Sequence, residues 1–308
     1  MLILYHKKFF LSIFRTYIDK EKIICYNVLG RETRAYVNCA KSRKSEQGNL
    51  VKMKKSVKIL GIGNSFSVDA MEWVYKILKN LGVEEIKLGN LYIGGCSLET
   101  HCNNLRGDLP AYEYWKNTDD NWEIIPEFKM GDAIVEREWD VIFTQQQSGR
   151  SGLPETYDGY VDELMAYVKS LAKGKPVYGW QMTWAYANYF DNPNFDPYDR
   201  NQDKMYAAIV NAVQAKILPR DDISLIAPTG TAIQNTRGVL GDVLNRDGFH
   251  LTYDYGRYIG GLCIVKALLG FDIDGVTYAP DGVSDEQRKL AIAAVNAACA
   301  TPFATTKI

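Results

Sequence analysis

The sequence predicts an α/β protein, a three-layer α/β/α sandwich with a mostly parallel central sheet. Three observations carry that expectation. Short apolar, β-rich runs alternate along residues 57–308 with segments of helical periodicity, the pattern of strands joined by crossover helices. The helical segments are long enough to cover both faces of a sheet. The 308 residues are 46% hydrophobic and 24% charged, an ordinary globular mixture that excludes a disordered, collagen-like or coiled-coil chain and supplies a sizeable core. No internal repeat, low-complexity tract or linker interrupts residues 57–308, so a single domain is expected there.

The elements follow in order. Residues 57–62 form a β-rich run, and Gly63-Asn64-Ser65-Phe66 reads as a turn. Over 69–81, Met71, Val74, Ile77, Leu78 and Leu81 fall on one helical face, and Gly82 is a natural stop. Residues 86–93 read as a second strand ending in Gly94-Gly95, and 98–105 as a short helix. Residues 112–115 and 122–125 read as a hairpin. A helix over 130–138 leads to a strand at 139–144. An amphipathic helix over 155–171 precedes a strand at 176–181. A long helix over 202–218 precedes a strand at 223–227. Helices over 229–240, 252–269 and 286–298 close the chain.

Charge is unevenly spread. Residues 1–56 carry 13 Lys and Arg against 4 Asp and Glu, a net of +9, and residues 57–308 carry 23 against 33, a net of −10. Residues 1–56 are therefore expected to be a basic N-terminal extension, poorly ordered or a gene-model artefact, with a natural start at Met53. The rival is a basic arm that binds an acidic surface. His6, Lys7, Lys8 and Arg15 break the early apolar residues, so no signal peptide is read and a cytoplasmic location is expected. No apolar run is long enough to span a bilayer, and the near-neutral total charge gives no reason to expect a nucleic-acid partner. The six cysteines are scattered without a CxxC pair, which suggests free thiols rather than a zinc or redox site.

Three histidines, His6, His101 and His250, leave little room for a multi-histidine metal site, and no metal is expected. His250 stands in Arg246-Asp-Gly-Phe-His-Leu251, three residues after Asp247, in a loop leading into a helix. One loop can present both side chains to the same place, the carboxylate fixing the imidazole tautomer. The plain alternative is a surface turn with a turn-forming Asp. Gly61-Ile-Gly-Asn-Ser-Phe-Ser67 follows the first strand of the body. A dinucleotide fingerprint fails there, because Phe66 stands where the third glycine belongs, and no GK[ST] follows for a phosphate loop. A serine nucleophile remains, and Ser65 is closer to the strand end than Ser67.

Gly63-Asn-Ser-Phe66 after a first strand, with Asp247-x-x-His250 late in the chain, resembles the SGNH (GDSL-type) hydrolases over roughly residues 57–270. The resemblance implies a flavodoxin-like sandwich and a triad in which Ser65 attacks an ester carbonyl, His250 is its general base and Asp247 orients His250. It also implies an oxyanion hole built from the Ser65 amide, a glycine after the second strand and a side-chain amide after the third. Gly95 fits the glycine. The usual GxND block is missing, and Gln145-Gln146-Gln147 stands at the end of the third strand, with Gln146 favoured and Gln145 next. That pattern is closer to carbohydrate-esterase branches. His101 and the aromatic insertion at 180–198, including Trp180 and Trp184, are expected to contact substrate; the plain alternatives are a helix-surface histidine and a loop packed on itself. The expected activity is hydrolysis of acyl esters, acetyl above all, of a carbohydrate or similar polar small molecule or glycan, with no cofactor. The alternatives are a lipase or thioesterase, or a non-catalytic carbohydrate-binding protein.

Overall fold

The computed structural model describes residues 54–308 and, ahead of them, three short strands: β1 (Thr16–Asp19), β2 (Lys22–Tyr26) and β3 (Glu32–Thr33). The chain divides into two units, Met1–Leu50 and Val51–Ile308. In the first, β1, β2 and β3 pair as an antiparallel sheet. The rest of the extension expected over residues 1–56 lies outside the described residues, apart from 54–56, where Ser56 opens the first strand of the second unit.

The second unit is the expected three-layer sandwich. Its sheet has seven strands: β4 (Ser56–Gly63), β5 (Glu85–Tyr92), β6 (Tyr112–Asn117), β7 (Trp122–Phe128), β8 (Val141–Thr144), β9 (Val177–Gln181) and β10 (Leu225–Ala227). They lie in the order β10-β9-β8-β4-β5-β6-β7. The pairings from β10 to β5 are parallel, and the hairpin β6–β7 extends the sheet antiparallel beyond β5. β4 is central, and from Ile59 to Gly63 it is apolar and buried, as a strand covered on both faces must be.

Register shows the two covered faces. Gly89 pairs with Leu60 and looks toward Trp139 and Tyr114, whose hydrogen bonds run to the helix α4 (Met130–Val135) and to Glu136 at its end. Gly179 pairs with Phe143 on the opposite face and looks toward Leu268. Leu268 ends a π-helical turn, Ile264–Leu268, that continues α8 (Tyr255–Cys263). α8 packs on α1 (Ser65–Met71), α2 (Val74–Asn80), α7 (Thr229–Leu240) and α9 (Asp285–Ala300), while α5 (Tyr160–Leu171) packs on α3 (Leu98–Arg106) and α4. α6 (Gln202–Lys216) follows β9.

The sequence periodicity over 69–81 is real, but two helices share it: α1 starts earlier, capped by the Asn64 side chain on the Phe66 amide, and α2 restarts after Trp73. Helix α5 starts at Tyr160 rather than 155, because Pro154–Thr156 forms a separate 3-10 turn and Gly159 adopts φ +76°. The helix expected over 252–269 starts at Tyr255 and widens into the π turn. No helix of the described residues is long and apolar enough to cross a membrane.

β4 is the point where the chain reverses its direction across the sheet, β5 leaving on one side and β8 joining on the other. A crevice opens outside the carboxyl ends of strands at such a point. The backbone also packs closely beyond the end of β9. A Cβ on Gly230, in the first turn of α7, would lie 2.1 Å from the Thr183 carbonyl oxygen. Gly230→Ala must therefore push α7 from the segment after β9, and is expected to lower stability by about 1–3 kcal/mol. A thermal midpoint equal to wild type would show that this contact yields freely.

Candidate active site

Three strand ends build the cleft. Asn64 and Ser65 follow β4, Gly94 and Gly95 follow β5, and Gln147 and Ser148 follow β8. The segment after β9 adds Tyr186, Phe190, Asn192 and Asn194, and the loop between α7 and α8 adds Phe249 and His250. Together they enclose a cavity of about 260 Å³.

Ser65, Asp247 and His250 converge there. Ser65 Oγ lies 2.8 Å from His250 Nε2, and His250 Nδ1 lies 2.7 Å from Asp247 Oδ2. Burial acts to raise the Asp247 carboxyl, but hydrogen bonds from the His250 ring and the His250 and Phe249 amides outweigh it and hold it below the ordinary carboxylate range. Its charge is thereby kept opposite Nδ1, so the imidazole can present Nε2 as acceptor to the serine hydroxyl. Ser67 points elsewhere: its hydroxyl donates to the Asn64 carbonyl and is fully buried.

The Ser65 amide, at the first position of α1, and the Gly95 amide have no acceptor among the described residues. Gly95 lines the cavity and adopts φ +64°, and a Cβ there would meet nothing within 4 Å. The structure does not bring Gln146 or Gln145 to the cleft. Gln146 Nε2 donates to the Thr156 carbonyl and hydroxyl, and its Oε1 accepts from Leu98 and Gln147 amides. Gln145 Nε2 donates to Asn64 Oδ1 at 2.6 Å. Gln147 lines the cavity; its Oε1 accepts from the Arg150 amide, and its Nε2 has no partner among the described residues.

His101, Trp180 and Trp184 are core residues. His101 is wholly buried, with Nδ1 2.8 Å from Tyr112 Oη. Trp180 packs on Tyr157. Trp184 stacks on Phe66 at 4.0 Å and donates to the Phe249 carbonyl at 2.7 Å, so it supports the histidine loop from behind. The insertion reaches the cleft instead through Tyr186, Phe190, Asn192 and Asn194. Cys96 is buried, and burial pushes its thiol up to about 12, which makes it inert. Cys96, Cys102, Cys263 and Cys299 are free.

Sequence reading placed the insertion at the substrate without singling out Tyr186 or Phe190, and it missed Asp69. The first two lie among aromatic residues that no periodicity singles out. Asp69 is an acid within the apolar stretch Val68-Asp-Ala-Met71, a buried position that calls for a cationic partner.

Burial holds the His101 imidazole down at about 3, against an ordinary 6.5. It is neutral in the folded protein and gains a proton when the chain unfolds at acid pH. Its contribution to stability is complete above pH 6.5 and is lost as pH falls toward 3. His101→Gln is expected to flatten that part of the acid limb in urea titrations from pH 7 to 4. An unchanged slope would contradict the neutral assignment.

A family model, Domain of unknown function (DUF4886), matches residues 58–298. The crystal structure of a DUF4886 family protein from Bacteroides uniformis is 36% identical, with a TM-score of 0.79, and the match covers 82% of this chain and 98% of that one. A candidate SGNH hydrolase from Slackia heliotrinireducens is 17% identical over 69% of this chain and 99% of that one, at a TM-score of 0.43. A catalytic mutant of Axe2, an acetylxylan esterase from Geobacillus stearothermophilus, is 14% identical over 72% of this chain and 98% of that one, also at 0.43. No curated protein matches the sequence.

Proposed function

The chain belongs to the DUF4886 family, and we propose that it is a serine esterase that removes small acyl groups, acetyl above all, from a carbohydrate or similar polar alcohol. The observation that carries this reading is the continuous hydrogen-bonded line from Ser65 Oγ through His250 to Asp247, open to a cleft at the Ser65 end.

In the first step Ser65 Oγ attacks the ester carbonyl carbon while His250 Nε2 takes the hydroxyl proton. The carbonyl oxygen becomes an oxyanion facing the Ser65 and Gly95 amides, with Gln147 Nε2 as the side-chain donor in place of Gln146. His250 returns the proton to the departing alkoxide, which leaves as the alcohol. Water then attacks the acyl-enzyme as His250 takes one of its protons, and His250 gives that proton to Ser65 Oγ as the carboxylic acid leaves. This chemistry requires no metal or organic cofactor.

The cleft supports a small, polar substrate. Its volume of about 260 Å³ gives room for a short acyl group and little more. Its aromatic walls include Tyr92 and Tyr186, whose hydroxyl is bonded to Ser148 Oγ, and Asn192 and Asn194 add side-chain amides. Such groups suit the faces and hydroxyls of a sugar.

Two tests follow from this reading. With p-nitrophenyl acetate, butyrate and octanoate, turnover is expected to fall with chain length, and Ser65→Ala and His250→Ala to abolish nearly all of it. Preference for octanoate would favour a lipase, and equal turnover by Ser65→Ala would remove the serine mechanism. Gln147→Ala is expected to lower kcat by roughly 10²-fold, the effect of losing one oxyanion donor. Gln146→Ala should instead act mainly on thermal stability, because Gln146 joins the Leu98 amide to Thr156. A Gln147→Ala enzyme with wild-type kcat would take Gln147 out of the mechanism.

A further inference from the structure

We propose that Asp69 is a positioning residue that fixes the distance between Ser65 and His250 by holding both ends of the histidine loop to the serine helix. The proposal rests on the esterase reading only in calling that pair catalytic.

Asp69 lies one helical turn beyond Ser65 on α1, so the two side chains are rigidly related by helix geometry. Its carboxylate is 1% exposed. One oxygen accepts from Arg257 Nε at 2.7 Å and from Arg246 Nη1 at 3.2 Å. The other accepts from the Leu251 amide at 2.8 Å and lies 3.4 Å from Arg246 Nη1. Arg246 immediately precedes Asp247, and Leu251 immediately follows His250. One buried carboxylate therefore holds the two residues that flank the Asp247–His250 segment.

The loop between these anchors is closed on itself. The Arg246 amide donates to the His250 carbonyl at 3.0 Å, Arg246 Nη1 donates to the Leu251 carbonyl, and Asn245 bridges to Leu251. Arg246 and Arg257 also lie over the Tyr253 ring, at 4.6 and 4.9 Å from its centroid. Arg257 Nη1 is taken by Glu72 at 3.0 Å. A closed loop moves as a body, so a shift of its anchors against α1 changes the Ser65–His250 separation directly.

A buried ionic network is weak evidence for stability, since desolvation offsets much of its attraction, and its best-attested use is to select one geometry. Here the geometry selected is the register of the loop on α1. A displacement near 1 Å between reacting groups can cost about 100-fold in rate.

The experiment compares wild type, Asp69→Asn and Arg246→Gln by thermal midpoint, by kcat and KM on p-nitrophenyl acetate, and by the downfield proton resonance of His250 Nδ1–H in the resting protein. Arg246→Gln leaves Arg257 and Leu251 on Asp69. It is expected to fold, to lose about tenfold in kcat with KM within twofold, and to broaden or shift the resonance; Asp69→Asn is expected to lose about 100-fold. Folded variants with wild-type kcat and an unmoved resonance would overturn the proposal, as would a loss of thermal midpoint alone. Where Asp69→Asn does not fold, Arg246→Gln decides. If the wild type turns over no ester, the esterase reading falls by itself. The resonance still decides the positioning role.

Discussion

The Asn64 side chain joins three strand ends, and the cleft depends on it. Its Oδ1 accepts from the Phe66 amide, which starts α1 at Ser65, and from Gln145 Nε2 at the end of β8. Its Nδ2 donates to the Cys96 carbonyl beyond β5 at 2.9 Å. One amide thus sets the serine turn, the glycine loop and the glutamine segment against one another. Buried polar groups need partners, and each left alone costs about 1–3 kcal/mol.

Behind the hub the site is backed by stacked rings. Phe66 lies between Trp184 and the edge of His250, and Phe249 packs on the His250 ring at 3.8 Å. The Trp184 indole holds the Phe249 carbonyl, and the Ala187 amide holds the Gly248 carbonyl at 2.7 Å. The segment after β9 therefore has two jobs. Its first part supports the histidine loop from the interior, and its later part, from Tyr186 to Asn194, faces the cleft. Serine and histidine are held from both sides by elements of the rigid sheet, which is how a reactive pair keeps its geometry before substrate arrives.

The differences between sequence reading and structure share a cause. Gln146 and Gln147 are adjacent in a segment without regular structure after β8, so no period tells which amide is turned inward. The outcome was set by distant partners, Leu98 and Thr156, which take all that Gln146 can offer. His101 and Trp184 carry the polar tips that suggest contact with substrate, yet both are buried, the Trp184 indole on the distant Phe249 carbonyl and the His101 ring beside Tyr112. The single helix expected over 69–81 divides at Trp73 although its apolar face continues, because hydrophobic period records burial and not backbone continuity.

What the sequence by itself determined is the alternation of strands and helices, the serine two residues after Gly63 at the end of the first strand of the body, and the three-residue step from Asp247 to His250. These are local: periodicity, turn chemistry and one loop's reach are written in neighbouring residues. Only the tertiary structure decided that the two distant segments meet, which glutamine faces the cleft, and that Asp69 ties one segment to the other. Those outcomes depend on how buried donors and acceptors find partners across the fold, and a partner 177 or more positions away leaves no mark in the local pattern.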